Sequence, residues 1–305
     1  MKLLTLSGIL LCCLSACAVA PSASDENASL TQQHAVELHN VPFFSQEDYF
    51  CGPSSLAMLL GHQGVRTTPT QLAEFVYVPE KKGSLQLEML AAPRQFGLLA
   101  YQTEPTVQSL LEAINANHPV LVLLNLALPV APQWHYALVI GYEPTTERIV
   151  LRSGKNKREE LPLTTFVKLW ARSNNWGFVA IKPDSSIPSF ASAQRYLNAL
   201  IGLERTDSKN ALLGYKRAKE AWPTEPWFDF GTGNIYFMAD QLPEAEQAFS
   251  AAVSIYPDFA DAWNNLAEVQ FKLGRQPEAR SAVNKALSLG GAHLSTYKET
   301  AEKIN

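Results

Sequence analysis

Cysteine is scarce in this chain and unevenly placed. Of the four cysteines, Cys12, Cys13 and Cys17 crowd the N-terminus and only Cys51 lies in the body. Once the leading segment is removed, no disulfide can form within that body, so a disulfide scaffold is excluded. An excess of one charge sign is missing too. The 25 basic and 29 acidic residues leave a net charge of -4 and are scattered without long runs. That pattern offers no footprint for a phosphate backbone and makes nucleic acid an unexpected partner. Apolar runs are short: the leading stretch, residues 3–14, falls below what a bilayer span requires. No Cys/His spacing suited to a metal appears. Gly231-Thr232-Gly233 lacks the third glycine and the preceding strand of a dinucleotide loop. Neither metal nor cofactor is therefore expected. What is present is 305 residues with 47% apolar content, enough for about two globular domains with a sizeable core.

The first residues carry one Lys, then the apolar stretch, then small residues, the order of a secretory signal. Leu14-Ser15-Ala16-Cys17 resembles the bacterial lipobox, which implies cleavage before Cys17 and acylation of that residue. The bland alternative is an ordinary signal cut after Ala16 or Ala20. The lipobox reading gives a signal peptide over 1–16 and an exported, membrane-anchored bacterial lipoprotein facing the periplasm. Residues 17–39, rich in Ala, Ser, Gln, Asn and Thr, read as a flexible tether. Cys51 is then a lone thiol in an oxidising setting, either buried as a small hydrophobe or used as a nucleophile.

From about residue 40 to 183, helix-like runs (54–61, 70–75, 85–96, 107–116) precede β-rich runs (120–124, 135–142, 148–152, 176–181), which predicts an α+β domain with an antiparallel sheet. Residues 184–191 carry Pro, Ser and Asp without apolar periodicity and read as a linker. Beyond it the text repeats. Pro243-Glu244-Ala245 recurs 34 residues later as Pro277-Glu278-Ala279, and the same step relates Phe249 to Val283 and Ala252 to Ala286. Ala211, Tyr215, Ala218 and Pro223 sit one period earlier. Three units over 192–293 follow, leaving a tail over 294–305. The period and the pattern of Trp263, Leu266, Ala267, Gly274, Ala279 and Ala286 resemble tetratricopeptide repeats, an all-α solenoid whose concave face holds a peptide or protein partner. Trp222, Trp227 and Trp263 read as repeat core rather than a ligand cage.

The segment Gln46-Glu47-Asp48-Tyr49-Phe50-Cys51-Gly52-Pro53 places Cys51 at or just before a helix start. Pro53 suits a first turn, and the free amides and dipole there favour a thiolate, so a lowered thiol pKa is expected. Gln46 can supply an amide donor which, with the Cys51 N–H, would hold a developing oxyanion. Among the histidines, His34 and His39 fall in or beside the tether, His62 ends the Cys helix, His118 precedes a proline, and His293 lies in the repeats. His135 opens a β-rich run in which Ala137 and Gly141 share its face and leave room beside the imidazole. A strand-borne His meeting a helix-borne thiol suits general-base activation of a nucleophile.

The Gln-x4-Cys-Gly-Pro and Trp-His-Tyr motifs, in that order, resemble the papain-like cysteine peptidase domain of bacteriocin-processing (double-glycine leader) transporters, over about residues 40–183. The resemblance implies Cys51 as nucleophile, His135 as its base and Gln46 as an oxyanion donor. The family usually carries an Asp-Pro after the His, orienting the ring. Counting along the motif puts Ser153 at that place, whereas a hairpin turning between Thr145 and Thr146 would set Asn156 opposite His135. Glu143 is no substitute, since eight residues of strand place it roughly 26 Å away. Ser or Asn can orient a ring but cannot offset its charge. The expected function is an exported, lipid-anchored cysteine peptidase acting on peptides or proteins, its repeats holding substrate or partner. The alternatives are a catalytically weak or inactive papain-like scaffold acting through its repeats, and thiol chemistry on a non-peptide substrate.

Overall fold

In the computed structural model of the chain, residues 34–46 and 49–304 are described. Cys17 and the lipobox lie outside them. No helix among the described residues is long and apolar enough to cross a membrane.

The N-terminal region is built on one antiparallel sheet of seven strands. Strands β1 (Val36–Glu37), β2 (Leu99–Gln102), β3 (Val120–Asn125), β4 (Trp134–Glu143), β5 (Arg148–Ser153), β6 (Asn156–Pro162) and β7 (Gly177–Ile181) run in the order β2-β7-β3-β4-β5-β6, with β1 added to β4. The central strands are buried on both faces: β3 and β7 are buried throughout. That explains why they read as continuous apolar runs rather than as alternation. β6, with its Lys, Arg and Glu side chains, is the solvated edge.

Helices α1 (Cys51–His62), α2 (Pro69–Val76), α3 (Gln86–Ala91) and α4 (Val107–Asn115) precede or interleave with the early strands, and α5 (Leu163–Ala171) follows β6. Pro93 ends α3 early, so the run expected to 96 finishes as a 3-10 turn closed by Gly97 in the left-handed region (φ 69). α1 is the central helix. Gly52 through Leu60 are all buried, and Leu56, Ala57, Met58, Leu59 and Leu60 have no exposed surface. Each fully buried Leu or Met contributes on the order of 1.5–3 kcal/mol, so this helix is held by tertiary packing against β4 and its neighbours.

Seven further helices follow: α6 (Ala193–Glu204), α7 (Ser208–Ala221), α8 (Pro226–Met238), α9 (Leu242–Ile255), α10 (Ala260–Lys272), α11 (Gln276–Leu289) and α12 (Leu294–Ile304). α7, α9 and α11 begin at steps of 34 residues, as do α8 and α10. Gly231 and Gly233 lie inside α8, where a Cβ would come within 2.4 Å of the Tyr215 ring and 2.6 Å of the Phe249 ring. They are close-approach residues between repeat helices. Trp222 stacks on Phe228 with centroids 5.7 Å apart, Trp227 meets Phe259 at 4.4 Å, and the Trp263 indole donates to the Pro257 carbonyl at 2.8 Å.

Two stretches differ from the sequence reading. Residues 294–305, set apart as a tail, carry α12, whose Ala301 and Ile304 are buried in the core of the last repeats. The stretch 184–191 is anchored: Phe190 is buried edge-on against Tyr101 and His118. α6 then docks on β2. The Ser192 N–H donates to the Tyr101 hydroxyl at 3.0 Å, Arg195 grips the Glu104 carboxylate with both arms of its guanidinium, and Gly202 lies against the Arg94 guanidinium. One apolar core therefore runs from the sheet through α6 and α7 to Phe228 and Ile235, and a second fills α9 to α12.

Candidate active site

α1 begins at Cys51. Its N-cap, Phe50 (φ -96, ψ 15), brings no side chain to the first-turn amides, so those N–H groups stay free for the sulfur. The backbone N–H groups of Cys51, Gly52 and, from β4, Tyr136 all draw the thiol pKa down. Burial acts in the opposite sense and dominates, pushing the Cys51 thiol up. The lowered thiol pKa expected from the helix start is thus corrected. The whole first turn after Cys51 is buried, and desolvation of a thiolate there outweighs three amide dipoles.

His135 sits near the start of β4, paired with Leu124 of β3. Its Nε2 lies 3.1 Å from the Ser153 hydroxyl at the end of β5. Burial pushes the imidazole down, and the Glu159 carboxylate on β6 draws it back up. Of the two candidate ring partners, the structure brings Ser153 to His135 and not Asn156. Two features cause this. A bulge between Val139 and Gly141 shifts the β4–β5 register by one residue. The chain then reverses at Gly154 (φ 58), so Asn156 pairs back on Ser153 as the first residue of β6 and is exposed. Gly141 is also reassigned. A Cβ there would meet the Val36 carbonyl at 2.4 Å, so its small size admits β1 rather than clearing space for the imidazole.

Gln46 is placed by the chain leading into the domain. Leu38 N–H bonds the Ile140 carbonyl at 2.8 Å, the buried Arg152 guanidinium donates to the Val41 carbonyl at 3.2 Å, and Gln46 N–H donates to the Gly154 carbonyl at 3.0 Å. The Gln46 side-chain amide donates to the Ser55 hydroxyl at 3.3 Å, and Ser55 in turn donates to the Tyr136 carbonyl at 3.1 Å. Ser55, one turn after Cys51, thereby joins the three pieces. Ser84 closes the arrangement from the side: its carbonyl accepts from the Tyr136 hydroxyl at 3.2 Å, and its side chain fills the space beside Gly52.

Gln46, Cys51 and His135 line one cleft of about 1260 Å³, together with Tyr136 and Trp134. A thiol, an imidazole and an amide donor lining one cleft form a set able to add sulfur to a carbonyl, move its proton and hold the oxyanion. Ser55, Ser84 and Glu159 were missed by sequence reasoning. Only Ser55 left a signal, as a polar residue in the apolar run of a buried helix, where a partner is obligatory. The remaining histidines lie elsewhere. His62 bonds the Asn117 carbonyl at 2.8 Å, His118 packs on Phe190, and His293 bonds Asp261 at 2.8 Å.

Comparison with known proteins finds matches to two separate parts of the chain. Residues 38–177 match the model of the Peptidase_C39 like family, and residues 230–292 match a tetratricopeptide repeat model. A structure described as a C39-like peptidase from Bacillus anthracis is 19% identical, with a TM-score of 0.42, covering 49% of this chain and 98% of its own. The peptidase domain of ComA from Streptococcus, a bifunctional ABC transporter of a quorum-sensing pathway, is 16% identical with a TM-score of 0.39, covering 47% and 98%. The tetratricopeptide repeat-containing protein trd-1 of Caenorhabditis elegans is 26% identical over 108 residues, which span 35% of this chain and 14% of that protein. The chain is thus similar to the Peptidase_C39 like family over residues 38–177 and to tetratricopeptide repeats over residues 230–292.

Proposed function

We propose that the protein is a cysteine peptidase whose nucleophile is Cys51, whose general base is His135 and whose oxyanion donors are the Cys51 N–H and the Gln46 amide. The observation that carries this reading is the convergence of those three side chains on one cleft from α1, β4 and the chain entering the domain. With Nε2–H donating to Ser153, the His135 Nδ1 holds the lone pair the reaction needs. Sulfur adds to the peptide carbonyl as its proton passes to His135. The oxyanion collapses, His135 returns the proton to the leaving amine, and a thioester remains. Water, deprotonated by His135, then hydrolyses the thioester and frees Cys51. Because burial favours the neutral thiol and the neutral imidazole, proton transfer accompanies attack rather than preceding it.

The repeats supply a binding surface for a protein partner or for the substrate itself. Cys17 is acylated in this reading and tethers the enzyme to a bacterial membrane on its exported side. Intact mass of membrane-purified protein tests the anchor: a mass without diacylglycerol overturns it.

A second reading, a papain-like scaffold with little turnover, draws on the same site. Ser153 stands where the family has a carboxylate, and the thiol is pushed up rather than down. Incubating the full chain with a peptide pool, and comparing Cys51→Ala, separates the two. Cleavage and a trapped thioester that both vanish with Cys51→Ala support the peptidase. An intact pool with no acyl-enzyme from the wild type moves the function to the repeats.

A further inference from the structure

Among the described residues, the cleft carries a charge opposite to that of the chain. Lys81, Lys82, Lys155 and Arg172 line it, and no Asp or Glu among the described residues does, in a chain of net charge -4. The cations are displayed by built turns. Lys81 and Lys82 occupy the turn closed by the Val78–Gly83 bridge, Lys82 in the left-handed region (φ 47) with its ammonium 5.7 Å from the Tyr49 ring centroid. Lys155 follows Gly154 in the β5–β6 turn. Arg172 is held across the cleft by neutral acceptors, the Asn125 carbonyl at 2.9 Å and the Ala127 carbonyl at 2.5 Å, which leave its charge uncompensated. The three lysines are exposed and make no ion pair with a described residue. Two described carboxylates act on the site, Glu88 on Tyr136 and Glu159 on His135, and neither lines the cleft.

We propose that this cleft selects acidic peptide segments, with Lys81, Lys82, Lys155 and Arg172 determining specificity by receiving Asp or Glu side chains that flank the scissile bond. The proposal rests on the peptidase reading for the bond that is cut, and on the cleft alone for the charge that is bound. Four like charges around one concavity focus field lines, raise the local concentration of an anionic chain and penalise a cationic one.

Two measurements on the full chain keep these apart. The first compares alkylation of Cys51 by iodoacetate, an anion, with that by iodoacetamide, its neutral counterpart. The ratio of the two rates cancels the intrinsic reactivity of the thiol and reads the net field at the sulfur, Glu47 and Asp48 included. Raising the salt from low to about 0.5 M is expected to lower that ratio about fivefold. Combined Lys81→Glu, Lys82→Glu and Lys155→Glu lowers it at least as much at low salt, and the three Lys→Gln changes give roughly half the effect on a logarithmic scale. A ratio indifferent to salt and to the variants would overturn the proposal.

The second measurement is competition between matched peptides that carry Glu or Lys around the same central sequence, read as binding to Cys51→Ala and as cleavage by the wild type. Preferential binding of the Glu peptide, weakened by salt, supports the proposal. Equal binding of both overturns it. Preferential binding without cleavage by the wild type sinks the peptidase reading and leaves the charge selection standing.

Discussion

The Ser55 hydroxyl donates to the Tyr136 carbonyl at 3.1 Å while accepting the Gln46 amide at 3.3 Å. One side chain on the helix that begins at Cys51 therefore ties together the strand that carries His135 and the Gln46 side chain. Its own surroundings are fully buried, so each of these bonds replaces one that water cannot supply.

Ser55→Ala strands the Gln46 amide and the Tyr136 carbonyl without a partner. Leaving such groups unpaired costs about 1–3 kcal/mol, to be read as a lower urea midpoint. In kinetics the loss is expected in kcat more than in KM, because the geometry of Cys51, His135 and Gln46 slackens while the cleft walls remain. A variant with wild-type stability and wild-type kcat would show that the hydroxyl is dispensable.

The unliganded protein is expected to hold Cys51 as a neutral thiol and His135 as a neutral imidazole, since burial pushes Cys51 up and His135 down. Iodoacetamide alkylation of Cys51 then rises through the ordinary thiol range of about 8.5 and keeps rising. A reactive plateau in mildly acidic buffer, lost with His135→Ala, would contradict this. Ser153→Asp places a charge on the Nε2 side of the ring, favours the imidazolium and shifts thiolate formation to lower pH. Glu159→Gln removes the carboxylate that draws His135 up, so the acid limb of kcat/KM moves to lower pH. Absence of both shifts would mean that the ring does not sense these positions.

Stability is expected to fall on acidification through histidine as well as through carboxylates. Burial holds His135 below its ordinary value, and burial with the nearby His62 does the same to His118, against a hydrogen bond to the Ala180 carbonyl that raises it. A depressed folded pKa means that the unfolded chain takes up protons first. The contribution is therefore present above about pH 6.5 and is lost as the pH falls through the folded values. Melting temperature measured between pH 7.5 and 5 should drop, and His118→Gln should flatten the slope. An unchanged slope in that variant would remove His118 from the account.

In α8, Gly231→Ala sets helix propensity against packing. Alanine gains about 1 kcal/mol in a helix, yet its Cβ would lie 2.4 Å from the Tyr215 ring. That ring cannot swing aside without losing the 2.8 Å bond from its hydroxyl to Glu204. Overpacking of about 1–3 kcal/mol should win, giving a net loss in chemical denaturation. A more stable variant would show that the repeat interface yields.

Much of the layout was legible because it rests on local rules. Cys51-Gly52-Pro53 ahead of an apolar run marks a helix start, and the observed helix begins at Cys51 itself. The 34-residue recurrence of Pro-Glu-Ala marks helix pairs whose small residues must meet. Fully apolar runs at 120–124 and 176–181 marked strands buried on both faces. Strand β6 left no such mark, because an edge strand of Asn, Lys, Arg and Glu reads like a loop until a neighbour pairs with it.

Residue types and their order, then, were enough to single out a thiol, an imidazole and an amide as candidates, and to separate their domain from a helical repeat. Which partner the imidazole takes was decided only in three dimensions, since a single-residue bulge after Val139 and a left-handed turn at Gly154 send Asn156 away and leave Ser153 at the ring. The ionisation of Cys51 was likewise settled by the fold. A helix start favours thiolate wherever it occurs, but how much water that start retains depends on every element packed around it, and here burial outweighs the amides.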